Sequence, residues 1–152
     1  MKQFRVYADT SVFGGCFDDE FSEESKAFFD EILKGKFILV ISTTILRELN
    51  DAPDYVQKIL KQISTEMIEF IEYSDEIAEL RDAYIKAEVI GVSHKYDAEH
   101  IATATVADVD FVISWNFKHI VHFDKIRGYQ AINLLKGYKP MLIYSPKEVI
   151  EQ

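Results

Sequence analysis

The sequence contains little cysteine, proline and glycine. Cys16 is the only cysteine among 152 residues, which excludes an internal disulfide and a cysteine-based zinc site and fits a reducing cytoplasm. The three prolines and six glycines form no linker, so we expect a single domain over residues 1–152. No apolar run approaches the roughly 18 residues of a membrane span, and the N-terminus has no apolar signal-peptide core. We therefore expect a soluble, cytoplasmic protein without a membrane partner.

Basic residues are also scarce. The chain has 17 lysines and arginines against 26 aspartates and glutamates, a net charge of −9, which is unfavourable for holding nucleic acid by phosphate neutralisation alone. Residues 1–116 hold 11 of the basic and 23 of the acidic residues, whereas residues 117–140 hold five basic residues against one acidic residue. This basic segment is either a solvated surface rich in lysine or a rim that contacts phosphates.

The hydrophobic pattern alternates between short apolar runs and helical periodicity. Predicted strands cover residues 4–8, 37–41, 67–73, 111–114 and 141–144, and a turn follows the first strand at residues 9–15. Predicted helices run from a Ser22 cap to Gly35, from Ser42 or Thr43 to residue 49, and over residues 53–63, 74–91, 96–107, 128–135 and 146–150. This alternation favours an α/β fold, a three-layer α/β/α sandwich with a mostly parallel central sheet.

Four polar residues fall where a parallel sheet binds its ligands. Asp9 ends the first strand, Glu48 lies in the helix that leaves the second strand, and Asn116 follows the strand at residues 111–114. Asp97 lies in the first turn of a crossover helix, which starts at the same edge of the sheet because crossover helices run antiparallel to the strands. Ligands bind beyond the carboxyl ends of parallel strands, so we expect these residues to share one crevice.

Three carboxylates in one crevice repel one another unless a cation offsets their charge. Oxygen ligands favour a hard ion such as Mg²⁺ or Mn²⁺, which can activate water for phosphodiester hydrolysis. Each acid also has an ordinary structural interpretation. Asp9 can form an Asx turn, Glu48 can be a solvated helix residue, and Asp97 can interact with a helix dipole. Only their joint placement favours a catalytic site.

Three segments resemble the PIN domain family, which consists of Mg²⁺- or Mn²⁺-dependent ribonucleases and includes VapC-type toxins. Residues 6–12, Val-Tyr-Ala-Asp-Thr-Ser-Val, resemble the strand that ends in Asp-Thr-Ser or Asp-Thr-Asn in this family. Residues 42–49 resemble the segment that carries the acidic Glu, and residues 97–104 are similar to the helix start that carries the third acid. The resemblance implies that Asp9, Glu48 and Asp97 are catalytic metal ligands in a PIN-like domain that cleaves RNA. It also implies a small antitoxin partner and a homodimer.

The fourth segment departs from the family pattern. Where PIN domains usually have Thr-x-Asp, this chain has Ser114-Trp115-Asn116, so an amide replaces the fourth acid at the catalytic position and contributes no charge. Ser11 and Ser114 are candidate hydrogen-bond donors to the carboxylates or to water. The alternative function is therefore a catalytically weakened PIN domain that binds RNA or a protein. A haloacid-dehalogenase-type phosphatase is disfavoured because Ser11 stands where its second Asp is required.

The remaining candidates concern RNA contacts. The residues that we expect to contact RNA are Lys118, His119, Lys125 and Arg127. Trp115 is a candidate for base stacking, whereas we expect Phe117 to pack in the core. We expect His100 to be a surface or hydrogen-bonded residue rather than a general base, and Cys16 to behave as a small apolar residue.

Overall fold

A computed structural model describes residues 3–150, so residues 1, 2, 151 and 152 of the predicted domain lie outside the described residues. Five strands form one sheet in the order β3-β2-β1-β4-β5, and every neighbouring pair is parallel. The strands are β1 Phe4–Ala8, β2 Phe37–Ser42, β3 Ile68–Ile71, β4 Phe111–Ile113 and β5 Ile143–Tyr144. The helices are α1 Thr10–Gly15, α2 Ser22–Leu33, α3 Thr43–Asn50, α4 Asp54–Lys61, α5 Asp75–Lys86, α6 Lys95–Val106, α7 Phe123–Leu135 and α8 Pro146–Val149, with 3₁₀ turns at Thr65–Met67 and Val92–His94. The predicted α/β class with a parallel sheet is confirmed.

The central strands are apolar because helices cover both faces of the sheet. Val6, Tyr7, Leu39 and Val40 of β1 and β2 are fully buried. The register pairs Val6 with Leu39 and Tyr7 with Val40. No helix among residues 3–150 is long and apolar enough to cross a membrane.

Local signals account for several helix ends. Ser42 begins α3 and Ser74 begins α5, each by accepting a hydrogen bond from a backbone N–H three residues further on. The end of α2 is closed by Gly35 at φ +84°, with hydrogen bonds from Gly35 N–H to Ile32 and from Lys36 N–H to Glu31. This Schellman arrangement favours glycine because the backbone is left-handed there.

Two predicted helix bounds were wrong, the end of α5 and the start of α7. Helix α5 ends at Lys86 rather than near Gly91, because Glu88 adopts a left-handed φ of 61° and the Val89 N–H bonds back to the Tyr84 carbonyl. Helix α7 begins at Phe123, five residues before the predicted start at Gly128.

The predicted turn after β1 is the short helix α1. Its Val12 and Phe13 are fully buried, so packing against the core stabilises a helix where the local Gly14-Gly15 pair indicates a turn. The predicted strands at residues 67–73, 111–114 and 141–144 are shortened to β3, β4 and β5.

The strand order reverses between β1 and β4. From β1 the chain proceeds outward through β2 and β3 on one side, and β4 and β5 lie on the other side. In open parallel sheets such a switch point leaves a crevice at the carboxyl ends of the two strands. Asp9 directly follows β1 and Ser114 directly follows β4, so both residues lie at this crevice.

Candidate active site at the carboxyl edge of the sheet

Two serines hold the Asp9 carboxylate in place. The Ser11 hydroxyl donates to Asp9 Oδ1 at 2.5 Å and the Ser114 hydroxyl donates to Oδ2 at 2.8 Å. The serine oxygens in turn accept backbone N–H groups, Ser11 from Trp115 at 2.8 Å and Ser114 from Asn116 at 2.9 Å. Asp9 precedes α1, yet its side chain does not cap that helix. The carboxylate is thus oriented by side chains from both sides of the switch point.

Asp9 is buried, with 4% of the residue exposed. Burial raises the pKa of Asp9 because it disfavours the charged form, while the nearby His100 and the two serine hydroxyls act in the opposite direction. A bound cation would favour the ionised carboxylate further.

Glu48 and His100 form a contact at the same edge. The Glu48 Oε1 lies 2.7 Å from His100 Nε2 and accepts a hydrogen bond from the Thr10 hydroxyl at 2.7 Å. The other imidazole nitrogen, Nδ1, lies 2.6 Å from the Tyr7 hydroxyl, which is 2.8 Å from Ser42 Oγ. His100 is therefore buried inside a hydrogen-bonded chain that runs from β1 and β2 to the carboxylate of Glu48.

The pKa values in this pair shift in opposite directions. Burial acts to lower the pKa of His100, but the hydrogen bond and the charge of Glu48, together with the charges of Asp9 and Asp97, raise it above the ordinary value. Burial acts to raise the pKa of Glu48, but the contact with His100 and the Thr10 hydroxyl lower it. Both shifts favour an imidazolium paired with a carboxylate. The His100 ring thus lies within electrostatic range of all three predicted acids.

Asp97 lies in the first turn of α6, where its carboxylate faces two histidines. His94, Asp97 and His119 each offer one ligand atom, and these atoms all lie within 4.8 Å of one another. Within residues 3–150 this is the only set of at least three histidine, cysteine or carboxylate groups that meets so closely. The charges of Asp9, Glu48 and Asp97 therefore all act on His100, but their carboxylates do not meet as closely as the ligand atoms of His94, Asp97 and His119 do among residues 3–150.

The donor set at the crevice suits a divalent cation in its chemistry. Asp9 accepts one hydrogen bond on each oxygen, and Glu48 makes its hydrogen bonds through Oε1. Carboxylate oxygens accept more than one partner, so lone pairs remain on both residues. Oxygen ligands of this kind are those that Mg²⁺ and Mn²⁺ prefer.

Asn116 stabilises the turn after β4. Its Oδ1 accepts the backbone N–H groups of Lys118 at 3.2 Å and of His119 at 2.9 Å, which use the two lone pairs of the amide oxygen. The Tyr129 hydroxyl also donates to the His119 carbonyl at 2.8 Å. Asn116 therefore positions the backbone of His119.

The residues predicted to contact RNA differ in solvent exposure and in the contacts that their side chains make within the protein. Lys118 is exposed next to the turn, but the Lys125 ammonium donates to the Val89 carbonyl at 2.8 Å. Arg127 is exposed, and its guanidinium lies 5.4 Å from the centre of the Phe123 ring.

The two aromatic residues beside Asn116 exchange the places predicted for them. Trp115 is 8% exposed, stacks on Phe21 at 4.2 Å and donates from Nε1 to the Ser25 hydroxyl, so it is a core residue rather than an exposed stacking surface. The expectation of a buried Phe117 was wrong, because that ring is 48% exposed. Trp115 occupies the core position because Gly15 leaves room for it: a Cβ there would lie 2.8 Å from Trp115 Nε1.

Cys16 is buried, as expected for a small apolar residue.

The sequence did not predict that His100 pairs with Glu48. His100 follows Asp97 by three residues, so the two residues lie on adjacent parts of the same helix. Glu99 also escaped prediction. Its buried carboxylate accepts the Thr44 hydroxyl and pairs with Arg81, and no local pattern identifies such a long-range partner.

The structure resembles solved chains that share little sequence identity with it. One is a chain of VapBC2 from Rickettsia felis bound to a DNA fragment from its promoter, with 11% identity and a TM-score of 0.58 over 93% of this chain and 98% of that one. Another belongs to FitAcB from Neisseria gonorrhoeae, with 14% identity and a TM-score of 0.60 over 95% and 99% of the two chains. A third belongs to FitAB bound to the IR36 DNA fragment, with 12% identity and a TM-score of 0.60 over 97% and 99%.

No protein-family model and no curated protein sequence matches this chain. The structural matches nevertheless cover nearly the whole fold, and the predicted resemblance to PIN domains is confirmed at that level. The protein has a PIN-like α/β/α fold.

Proposed function

We propose that this protein is a metal-dependent endoribonuclease that acts in the cytoplasm as the toxin of a type II toxin–antitoxin module. The main support is the placement of Asp9 at the switch point between β1 and β4, where Ser11 and Ser114 orient its carboxylate. The sequence pattern adds Glu48 and Asp97 at the same edge. The likeness to chains of toxin–antitoxin complexes supports the biological role.

Asp9, Glu48 and Asp97 are the residues that would hold Mg²⁺ or Mn²⁺ in this proposal. The bound ion would polarise a phosphate oxygen and activate a water molecule. The chain itself orients the Asp9 carboxylate through the serines and the Glu48 carboxylate through His100. The bound ion would also supply positive charge where this acidic protein meets the RNA backbone.

Contacts to the RNA backbone are assigned to the turn and helix that follow β4. Lys118 and Arg127 are exposed and supply positive charge, and His119 supplies an imidazole beside Asp97. Lys125 contributes after its ammonium exchanges the Val89 carbonyl for a phosphate. Replacing Lys118 or Arg127 by Gln should reduce the dependence of RNA binding on salt concentration.

The nuclease proposal is tested by RNA cleavage with Mg²⁺ or Mn²⁺. We expect Asp9→Asn and Asp97→Asn to lower the cleavage rate at least about 100-fold, because each removes a carboxylate from the ion. Asp108→Asn is the matched control, since Asp108 precedes β4 at the opposite edge of the sheet. Undiminished cleavage by Asp9→Asn, or an equal loss in Asp108→Asn, would contradict the proposal.

The second candidate is a PIN-like module that binds RNA or a protein without cutting. Asn116 favours it, because its amide oxygen is used by the turn and adds no charge to the crevice. Asn116→Asp retains the acceptor for both N–H groups and adds a carboxylate. If the wild-type chain binds RNA without cleaving it and this variant gains cleavage, the second candidate is correct.

The proposed partners are a small antitoxin and a second copy of the chain. Expression of the protein alone should arrest bacterial growth, and co-expression of a small protein encoded beside it should restore growth. Asp9→Asn should abolish the arrest at equal protein level. Sedimentation equilibrium would test the homodimer.

A further inference from the structure

Three side chains that can bind a metal ion, those of His94, Asp97 and His119, lie close together. They come from two neighbouring parts of the fold. His94 ends the 3₁₀ turn before α6, and Asp97 is three residues further along, which puts both on one side of the helix start. His119 comes from the turn after β4.

We propose that His94, Asp97 and His119 form a binding site for Zn²⁺. Two imidazole nitrogens and one carboxylate oxygen are borderline ligands that suit zinc, and three protein ligands leave a position for water. Mg²⁺ favours a set made of oxygens alone. The site therefore differs in chemistry from the acidic crevice to which Asp97 also belongs.

The geometry needs only a small adjustment to bind the ion. Ligand atoms at 2.0–2.2 Å from a tetrahedral zinc are about 3.3 Å apart. The three ligand atoms here lie within 4.8 Å of one another, so a contraction of at most about 1.5 Å completes the site. His94 is exposed to solvent. Its ring already stacks on that of His119, with centroids 3.7 Å apart.

His119 is held in a way that suits a ligand. Its N–H donates to Asn116 Oδ1 and its carbonyl accepts the Tyr129 hydroxyl, so the backbone is fixed on both sides. Its Nδ1 is buried and has no hydrogen-bond partner among residues 3–150. A buried imidazole nitrogen without a hydrogen-bond partner destabilises the fold. Binding of a metal ion by this nitrogen, or rotation of the His119 ring when the ion binds, would remove that penalty.

Zinc binding is tested without RNA. Calorimetry with Zn²⁺ and absorption spectra with Co²⁺, which gives strong visible bands in tetrahedral nitrogen and oxygen sites, should show one ion per chain. His94→Gln and His119→Gln should each weaken binding at least about tenfold. His122→Gln is the matched control, because His122 is exposed in the same segment and lies outside the cluster.

His94→Gln is the informative variant because an exposed side chain is replaced, and its urea unfolding midpoint should equal that of the wild type. Absence of Zn²⁺ binding at millimolar concentration, equal binding by wild type and His94→Gln, or an equal loss in His122→Gln would each overturn the proposal. The titration does not depend on cleavage, so failure of the nuclease proposal would leave this one standing.

One consequence rests on the proposed nuclease. Zn²⁺ at this site engages Asp97, so it should inhibit cleavage in the wild type. In His94→Gln the same inhibition should require at least about tenfold more Zn²⁺. Equal inhibition of both proteins would show that zinc acts elsewhere.

Discussion

The buried ion pair between Arg81 and Glu99 allows a quantitative test of the packing of α5 against α6. Arg81 Nη1 lies 2.6 Å from Glu99 Oε1, and the two side chains are 16% and 2% exposed. The Thr44 hydroxyl donates to the other carboxylate oxygen of Glu99. Arg81→Met would leave a buried carboxylate with this one neutral donor.

We expect Arg81→Met to reduce the free energy of unfolding by about 3 kcal/mol. Removing one partner of a buried pair costs about 3–5 kcal/mol, and the partial exposure of Arg81 favours the lower end of that range. For a domain of this size, the loss corresponds to a melting temperature about 6–12 °C lower. Urea unfolding at neutral pH measures the difference directly.

Asp82→Asn is the matched control. Asp82 also pairs with Arg81, at 3.0 Å, but its side chain is 65% exposed, and exposed pairs contribute about 0–1 kcal/mol. The double variant Arg81→Met/Glu99→Gln should be more stable than Arg81→Met, because a neutral amide costs less to bury than a carboxylate. Equal losses in Arg81→Met and Asp82→Asn, without recovery in the double variant, would refute the reasoning.

Three further expectations concern cysteine reactivity, backbone strain and side-chain packing. Burial raises the pKa of the Cys16 thiol to about 11, so below that pH the thiol form dominates. A disulfide reagent at pH 8 should therefore label the folded protein at least about 100-fold more slowly than the urea-unfolded chain, and equal rates would contradict the burial. Glu88→Gly should raise the free energy of unfolding by about 1 kcal/mol, because it relieves a left-handed φ of 61°; unchanged urea unfolding would mean that the strain is absent. Gly128→Ala should lower it by about 1–3 kcal/mol, since a Cβ would lie 2.6 Å from Val89 Cγ1, and Val89→Ala in that background should recover part of the loss.

Much of the fold was predictable from the sequence because local physics determines it. The apolar runs of β1 and β2 predict buried parallel strands, and Ser42 and Gly35 mark helix ends by filling or freeing backbone hydrogen bonds. Where packing overrides local preference, as at α1, the prediction was wrong. The end of α5 at Glu88 was also hidden, because a glutamate adopts the left-handed position that glycine usually marks.

At the candidate site, too, the sequence predicts some features and tertiary packing decides the others. The sequence by itself predicted that Asp9 and Asn116 follow strands that end at one edge of a parallel sheet, and that Glu48 and Asp97 lie in helices that begin at that edge. Tertiary structure alone decided what each side chain contacts. The serines orient Asp9, His100 pairs with Glu48, and the turn after β4 brings His119 beside His94 and Asp97. These contacts join residues far apart along the chain, and their partners depend on how helices pack over the sheet, which no local sequence period encodes.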